Sequence, residues 1–350
     1  MIKEHCGVVG VWSRDGEAPM IAYRALKLLQ HRGQESAGIS YLDGGIRTVK
    51  GMGLVEEAID PALLGRSGLA IGHVRYSTTG MGTIDEAQPL SNNVISVAFN
   101  GTIPNYYMYG TKTDTEFILK VLSKSGDVRL GLKRLVELAD GAYSIVILTT
   151  RGELIGFRDP RGFRPLVLGK VGSSYVIASE DSAIRQLGGD VIRDVRPGEM
   201  VYIDKYGNVE SEVLAQSQVM ATCSFEYIYF ARADSVIDGI SVYRARIRLG
   251  EILAERHYVD ADIVVPIPGS SIPIAIGYSR RSRTPLEFAL TRTEVAKRSF
   301  IMPTQEGREM VLMEKFGVVG EAVRGKRVVL IDDSIVRGNT MKHVIRLLRN

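Results

Sequence analysis

Residues 328–340 read VVLIDDSIVRGNT, and this stretch decides the fold of the C-terminal part of the chain. Val328–Ile331 is a short apolar run, the pattern of a buried parallel strand. Asp332 and Asp333 fall where that strand ends. A polar turn from Ser334 to Thr340 follows, with Gly338 as its flexible point, and Met341 to Arg349 has a helical pattern. A strand, a turn rich in backbone N–H groups and a helix N-terminus form a phosphate cradle. Adjacent carboxylates beside it suit ribose hydroxyls or a bound Mg²⁺. The expected ligand therefore carries both a sugar and a phosphate.

A Walker-B-like strand of a nucleotide hydrolase is the competing reading, and it needs a Walker A loop. The nearest stretch, Gly320 to Lys326, is followed by Arg327 where Ser or Thr is required, and it precedes a strand instead of opening a helix. It reads as a turn. The string as a whole resembles the phosphoribosylpyrophosphate (PRPP) signature of the phosphoribosyltransferases. That resemblance assigns PRPP binding to Asp332, Asp333, Ser334, Ile335, Val336, Arg337, Gly338, Asn339 and Thr340.

The chain has 350 residues, enough for about two domains. Its 45% apolar and 24% charged content is ordinary for a globular protein. A net charge of +4, with basic residues scattered, does not point to nucleic acid. The densest basic cluster, Arg280, Arg281 and Arg283, is explained by a solvated turn. No apolar run approaches the roughly 18 residues of a membrane span, and Met1–His5 is too short and polar for a signal peptide. Two cysteines, Cys6 and Cys223, make no disulfide framework. A cytoplasmic protein that binds neither nucleic acid nor membrane is expected.

The first part of the chain, to about residue 210, reads as β-rich. Apolar segments recur at Gly7–Trp12, Leu69–Val74, Ile95–Phe99, Tyr143–Leu148, Pro165–Leu168, Tyr175–Ala178 and Met200–Ile203. Helical patterns interrupt at Pro19–Gln30 and Asp114–Ser123. Beyond Ser241 strands and helices alternate, which implies a doubly wound parallel sheet. The domain boundary is expected between Asn208 and Cys223.

A second reaction centre is legible near the start. Taken alone, Cys6 reads as a small buried hydrophobe. With Met1–His5 removed as a propeptide it would carry a free α-amine, of intrinsic pKa roughly 7.7–8.0, able to act as base for its own thiol. Four further stretches accompany it in order: His31 to Gly38, Gly72 to Thr78, Phe99-Asn100-Gly101 and Thr113 to Glu116. Alone, Asn100-Gly101 could be a hairpin turn, Arg75 and Asp114 surface charges, and Arg32 a loop clamp. Together the set resembles the glutaminase domain of class II amidotransferases, with its N-terminal nucleophile hydrolase fold. The resemblance implies that Cys6 is the nucleophile and that Asn100 and Gly101 form the oxyanion hole. Arg75 and Thr78 would bind glutamine, Arg75 through its carboxylate. Asp114 would hold the ammonium, and Arg32 would support the nucleophile's loop.

A glutaminase followed by a PRPP site resembles the glutamine phosphoribosylpyrophosphate amidotransferase family. The likeness includes the segments Arg158 to Leu166 and Cys223 to Arg232, which read as packing. It implies an α/β (α+β) chain: residues 1–5 a propeptide, 6–222 an αββα-sandwich glutaminase and 223–350 a parallel-sheet phosphoribosyltransferase domain. It implies transfer of glutamine-derived ammonia to PRPP in the first step of purine biosynthesis. Mg²⁺ would be held near Ser270, Asp332 and Asp333. Purine nucleotides would act as feedback inhibitors, and the chain would form a homo-oligomer. Cys223 corresponds to a ligand of a four-iron–four-sulfur cluster in some members. Such a cluster needs four thiolates, so it is expected only in a longer chain.

Three departures stand against this. Thr293 to Arg298 replaces the family's Asn-Arg-Tyr-Val-Gly-Arg, putting Glu294 where an arginine is usual. Ala233 stands in place of a proline. The sheet that would continue past Asn350 reads as truncated, leaving Val328–Ile331 an exposed edge. Two other readings follow: a glutaminase with an inactive transferase domain, and a non-catalytic PRPP-binding regulatory relative.

Overall fold

The computed structural model describes residues 6–76, 82–292, 316–335 and 338–349. They form two compact units. One runs to Glu226 and adds Ser235–Gly239; the other takes Tyr227–Asp234 and the chain from Ile240.

In the first unit the elements are β1 (Gly7–Trp12), α1 (Ala18–Leu28), β2 (Ser36–Leu42), β3 (Ile46–Met52), α2 (Val55–Ala58), β4 (Leu69–Arg75), β5 (Leu90–Ser91) and β6 (Ile95–Thr102). There follow α3 (Asp114–Lys124), α4 (Val128–Leu138), β7 (Ala142–Thr149), β8 (Leu154–Arg158), β9 (Val167–Val171), β10 (Ser174–Ala178), α5 (Asp181–Gln186), β11 (Asp190–Asp194), β12 (Glu199–Ile203) and β13 (Val209–Val213). One sheet has the order β11-β9-β10-β1-β4-β2-β3, the other β13-β12-β8-β7-β6-β5. Their paired strands are antiparallel.

Alternation along the strands builds three apolar layers. Val8, Trp12, Leu69, Ile71, Ala98 and Val146 fill the space between the sheets. Val9, Val11 and Val74 pack outward against α1. Val97, Phe99 and Ile145 pack outward against α3 and α4. The result is an αββα sandwich. Register then fixes the site. Val8 faces His73 and Gly7 faces Val74, so Cys6 comes to the end of β4 that carries Arg75; Ser36 pairs with Arg75 from the other side.

In the second unit Val242–Arg256 and Ile272–Ser282 are helices in close contact. A Cβ on Gly250 would lie 1.8 Å from the Ile274 carbonyl oxygen, and one on Gly277 2.0 Å from that of Ile247, so only glycine permits this approach. Ile263–Pro266 pairs in parallel with Val328–Ile331, and the helix Asn339–Arg349 follows. Val265, Ile267, Phe316 and Val344 are buried together.

Some expectations need correcting. The strand expected at Pro165–Leu168 begins at Val167. The expected turn at Gly320 to Lys326 contains a short helix, Gly320–Val323, before Gly325 turns the chain at φ +71°. The polar-faced strands β2, β3, β11 and β13 were not expected. Among the described residues no helix is long and apolar enough to cross a membrane.

Candidate active sites

Cys6 is buried at the head of β1, with its Sγ 4.0 Å from the Tyr76 carbonyl oxygen. Its own carbonyl accepts a bond from Arg32 Nε at 3.0 Å. Arg32 follows α1 in a turn of 3-10 helix, Gln30–Arg32, and is fully buried. A buried guanidinium needs opposite charge. Glu180 supplies it at 2.5 Å, and Glu226 binds both terminal nitrogens at 2.8 and 3.0 Å. Burial opposes the charge on Arg32, but Glu226 and Glu180 outweigh it and raise its pKa above the ordinary arginine value. Arg164 adds a second cation, 3.3 Å from Glu226. His31 Nε2 lies 2.7 Å from Glu180, and Ser235 donates to the same carboxylate at 2.7 Å. The backbone of Cys6 thus rests on a buried ionic cluster.

Asn100 sits near the end of β6 and is fully buried, yet among the described residues neither its Oδ1 nor its Nδ2 has a hydrogen-bond partner. A buried amide is costly to leave unbonded, and a water, ion or ligand is what ordinarily completes it. Gly101 follows at φ +152°, and a Cβ there would stand 1.9 Å from the Ala142 carbonyl oxygen. No other residue fits.

Arg75, at the end of β4, bonds Glu86 at 2.9 Å and lies 3.9 Å from Glu35. Its fork already receives carboxylates, so a substrate carboxylate would compete with Glu86. Asp114 opens α3. It accepts the Thr115 N–H at 2.9 Å and the Ile103 N–H at 3.4 Å, which ties it to the end of β6. Thr78 and Met1–His5, the stretch expected to be a propeptide, lie outside the described residues.

His73, between Ile71 and Arg75 on β4, is fully buried. Its Nε2 meets the Phe99 carbonyl oxygen at 3.1 Å, and its Nδ1 has no partner among the described residues. A carbonyl only accepts, so the ring proton is on Nε2. Burial, and then the charge of Arg75, push its pKa down to about 3 against the weaker pull of the Phe99 carbonyl. Its ring is neutral throughout the working pH range.

At the second centre, Asp333 is held by two hydroxyls: Ser270 bonds one carboxylate oxygen and Ser334 donates to the other at 2.7 Å. The Asp333 N–H donates to Asp332 at 2.9 Å. Ser270 and Asp333 follow the C-terminal ends of the two parallel strands, where ligands bind in open α/β sheets. Gly338 turns at φ +73° into the helix that begins at Asn339. Val336, Arg337 and the departure at Thr293 to Arg298 lie outside the described residues.

This oxygen-only set fits Mg²⁺, which takes one or two carboxylates and fills its remaining positions from water and substrate phosphates. Among the described residues no three His, Cys, Asp or Glu side chains converge as a protein-only metal cage. The chain's two cysteines, both buried as free thiols, do not fit a four-iron–four-sulfur cluster, which needs four. A cavity of about 380 Å³, lined by Trp12, Ser67, Gly152, Lys205 and Tyr206, lies at the opposite end of β1 from Cys6.

Residues 73–186 match a family model described as a glutamine amidotransferase domain, and residues 243–350 match a phosphoribosyl transferase domain. The amidophosphoribosyltransferase of Archaeoglobus fulgidus is 46% identical over 369 aligned residues, covering 99% of this chain and 80% of the relative. The chain belongs to the amidophosphoribosyltransferase family. The Bacillus subtilis amidophosphoribosyltransferase is 41% identical, covering 99% of this chain and 77% of its own length. A solved structure described as the allosteric regulatory enzyme of purine biosynthesis superposes with a TM-score of 0.89 at 40% identity, covering 98% of this chain and 78% of that one. Another, the glutamine PRPP amidotransferase of Bacillus subtilis complexed with ADP and GMP, gives 0.87 at 40% identity, covering 98% and 79%. Membership makes this protein a transferase built from a glutaminase and a phosphoribosyltransferase domain.

Proposed function

We propose that this protein transfers the amide nitrogen of glutamine to PRPP, yielding 5-phosphoribosylamine, pyrophosphate and glutamate, as the first step of purine biosynthesis. The observation that carries the reading is the fully buried Asn100 amide, unbonded among the described residues and set beside a glycine that nothing else can replace.

Cys6, freed of residues 1–5, attacks the glutamine amide carbon while its α-amine takes the thiol proton. Arg75 and Thr78 hold the substrate carboxylate end, and Asp114 holds its ammonium. Asn100 Nδ2 and the Gly101 N–H receive the developing oxyanion, worth roughly 3–4 kcal/mol per donor in comparable sites. Ammonia leaves with the proton returned by the amine, and water resolves the thioester to glutamate. Ammonia then displaces pyrophosphate from C1 of PRPP, whose 5′-phosphate sits in the turn Ser334 to Thr340. Ser270, Asp332 and Asp333 would hold Mg²⁺, which when bound offsets charge on the pyrophosphate.

The domain limits we propose are 6–222 and 223–350. In support, the two family matches fall on either side of Cys223, and the first compact unit ends at Glu226 before regaining Ser235–Gly239. A cytoplasmic location, purine-nucleotide inhibition and a homo-oligomeric state belong to the same reading. The ADP and GMP bound to the Bacillus subtilis relative support the second of these, and light scattering reads the third. The proposal is tested by incubating the purified protein with glutamine, PRPP and Mg²⁺. Glutamate and pyrophosphate should appear in equal amounts. Glutamate without PRPP consumption would instead leave a glutaminase alone.

A further inference from the structure

The short strand β5 covers the outer edge of β6 only at Leu90 opposite Val97 and Ser91 opposite Ser96. Beyond it, among the described residues, the backbone of β6 has no neighbouring strand on that side. Phe99 turns both its polar groups to this uncovered edge: its N–H donates to Gln88 Oε1 at 2.8 Å and its carbonyl accepts from His73 Nε2 at 3.1 Å. In an antiparallel strand the next residue points its groups the other way, and the one after returns to the first side. Asn100 therefore faces β7, and the Gly101 N–H comes back to the same open edge as Phe99. Tyr143, opposite Gly101, agrees: its N–H and carbonyl are bonded to Asp159, on the far side of β7. Two side chains thus stand in for a missing strand at Phe99, and the next edge donor is the one assigned to the oxyanion.

We propose that His73 is a positioning residue for the glutaminase centre: it ties the strand carrying Asn100 and Gly101 to the strand carrying Arg75. It lies two residues before Arg75 on the same face of β4, and its acceptor lies one residue before Asn100. One bond therefore sets the distance between the grip on the substrate carboxylate and the donors for the developing charge. The ring serves as a fixed donor and takes no part in proton transfer. The Phe99 carbonyl, which can only accept, keeps the proton on Nε2. Because Nδ1 has no partner among the described residues, only the Nε2 donor is required.

This rests on the glutaminase reading, and the experiment separates the two. Glutamine hydrolysis, thermal stability and the rate of Cys6 alkylation by iodoacetamide are measured for the wild-type protein, His73→Leu and His73→Gln. Alkylation forms an S–C bond with loss of iodide, requires no oxyanion donor and is read by peptide mass at Cys6. His73→Leu should lower kcat by about 10–100-fold, less than loss of a whole oxyanion donor, with KM within about threefold and alkylation unchanged. His73→Gln, whose amide nitrogen can reach the Phe99 carbonyl, should recover kcat to within about fivefold of wild type. If His73→Leu does not fold, His73→Asn, too short for that reach, replaces it in the comparison. Wild-type kcat in a folded variant lacking the donor, or no advantage of Gln over it, would overturn the proposal. So would a fall in alkylation parallel to kcat, the mark of a general loss of structure. A wild-type protein releasing no glutamate would instead remove the glutaminase reading itself.

Discussion

Replacing Arg32 by methionine keeps most of the side-chain volume and removes the charge at the centre of the buried cluster. The change deletes a 3.0 Å bond to the Cys6 carbonyl, a 2.5 Å bond to Glu180 and the two-pronged contact with Glu226. Glu180 and Glu226 are both fully buried, so neither can recover its solvation from water. Breaking a buried pair from one side costs about 3–5 kcal/mol. His31 and Ser235 remain on Glu180, and Arg164 remains on Glu226, which favours the lower end. At about 3 kcal/mol the melting temperature of a unit this size falls by roughly 6–12 °C. The single tryptophan, Trp12, lies in the core between the two sheets, so its fluorescence in a urea titration follows this unit. Adding Glu226→Gln removes the stranded charge and should return part of the loss. A single variant losing under about 1 kcal/mol, or a double variant losing the sum of two independent changes, would refute the reasoning.

Asn100→Leu should lower kcat for glutamine by about 10²–10³-fold while leaving the melting temperature unchanged or higher, because a buried amide unbonded among the described residues is removed. Asp333→Asn should raise the KM for PRPP by about 10–100-fold, the loss of a charged contact worth roughly 1.5–3 kcal/mol, and leave PRPP-independent glutamine hydrolysis as it was. In the folded chain the His73 pKa is lowered to about 3, so its contribution to stability is complete above the unfolded value near 6.5 and is lost as pH falls toward 3. Stability of the wild type should therefore fall more steeply than that of His73→Gln between pH 6.5 and 4. Equal slopes would show that His73 takes up its proton as readily in the folded chain as in the unfolded one, against the lowered pKa.

What could be read from the chain follows from which residues obey simple periodicity. Val328–Ile331 and Gly7–Trp12 are continuous apolar runs bounded by polar turns, and the strands occupy those limits. Strand β2 was missed because its inward face carries Ser36, Gly38 and Ser40. Ser40 is buried and bonds Ser96 of the other sheet at 2.9 Å, a cross-sheet contact that periodicity cannot foresee. Strands β3, β11 and β13 mix charges into partly exposed faces and read as loops. The residues proposed for the first centre all lie in motif stretches of the sequence. Their supports were less visible: Glu226 sits among aromatic residues in a segment read as packing, and Glu180 had no pattern around it. His73 did leave a signal, a histidine on the apolar face of an alternating strand two positions before a motif arginine. Only the fold gave it an acceptor.

In the proposed division of labour Cys6 serves one centre and Asp332 with Asp333 the other, linked by ammonia. Pyrophosphate release from PRPP by the Cys6→Ala variant, with either glutamine or ammonium chloride as nitrogen source, tests it most directly. Glutamine should support no release, whereas ammonium at alkaline pH should support release close to that of the wild type. Glutamine-dependent release without Cys6, or loss of both activities in a folded variant, would contradict the division of labour.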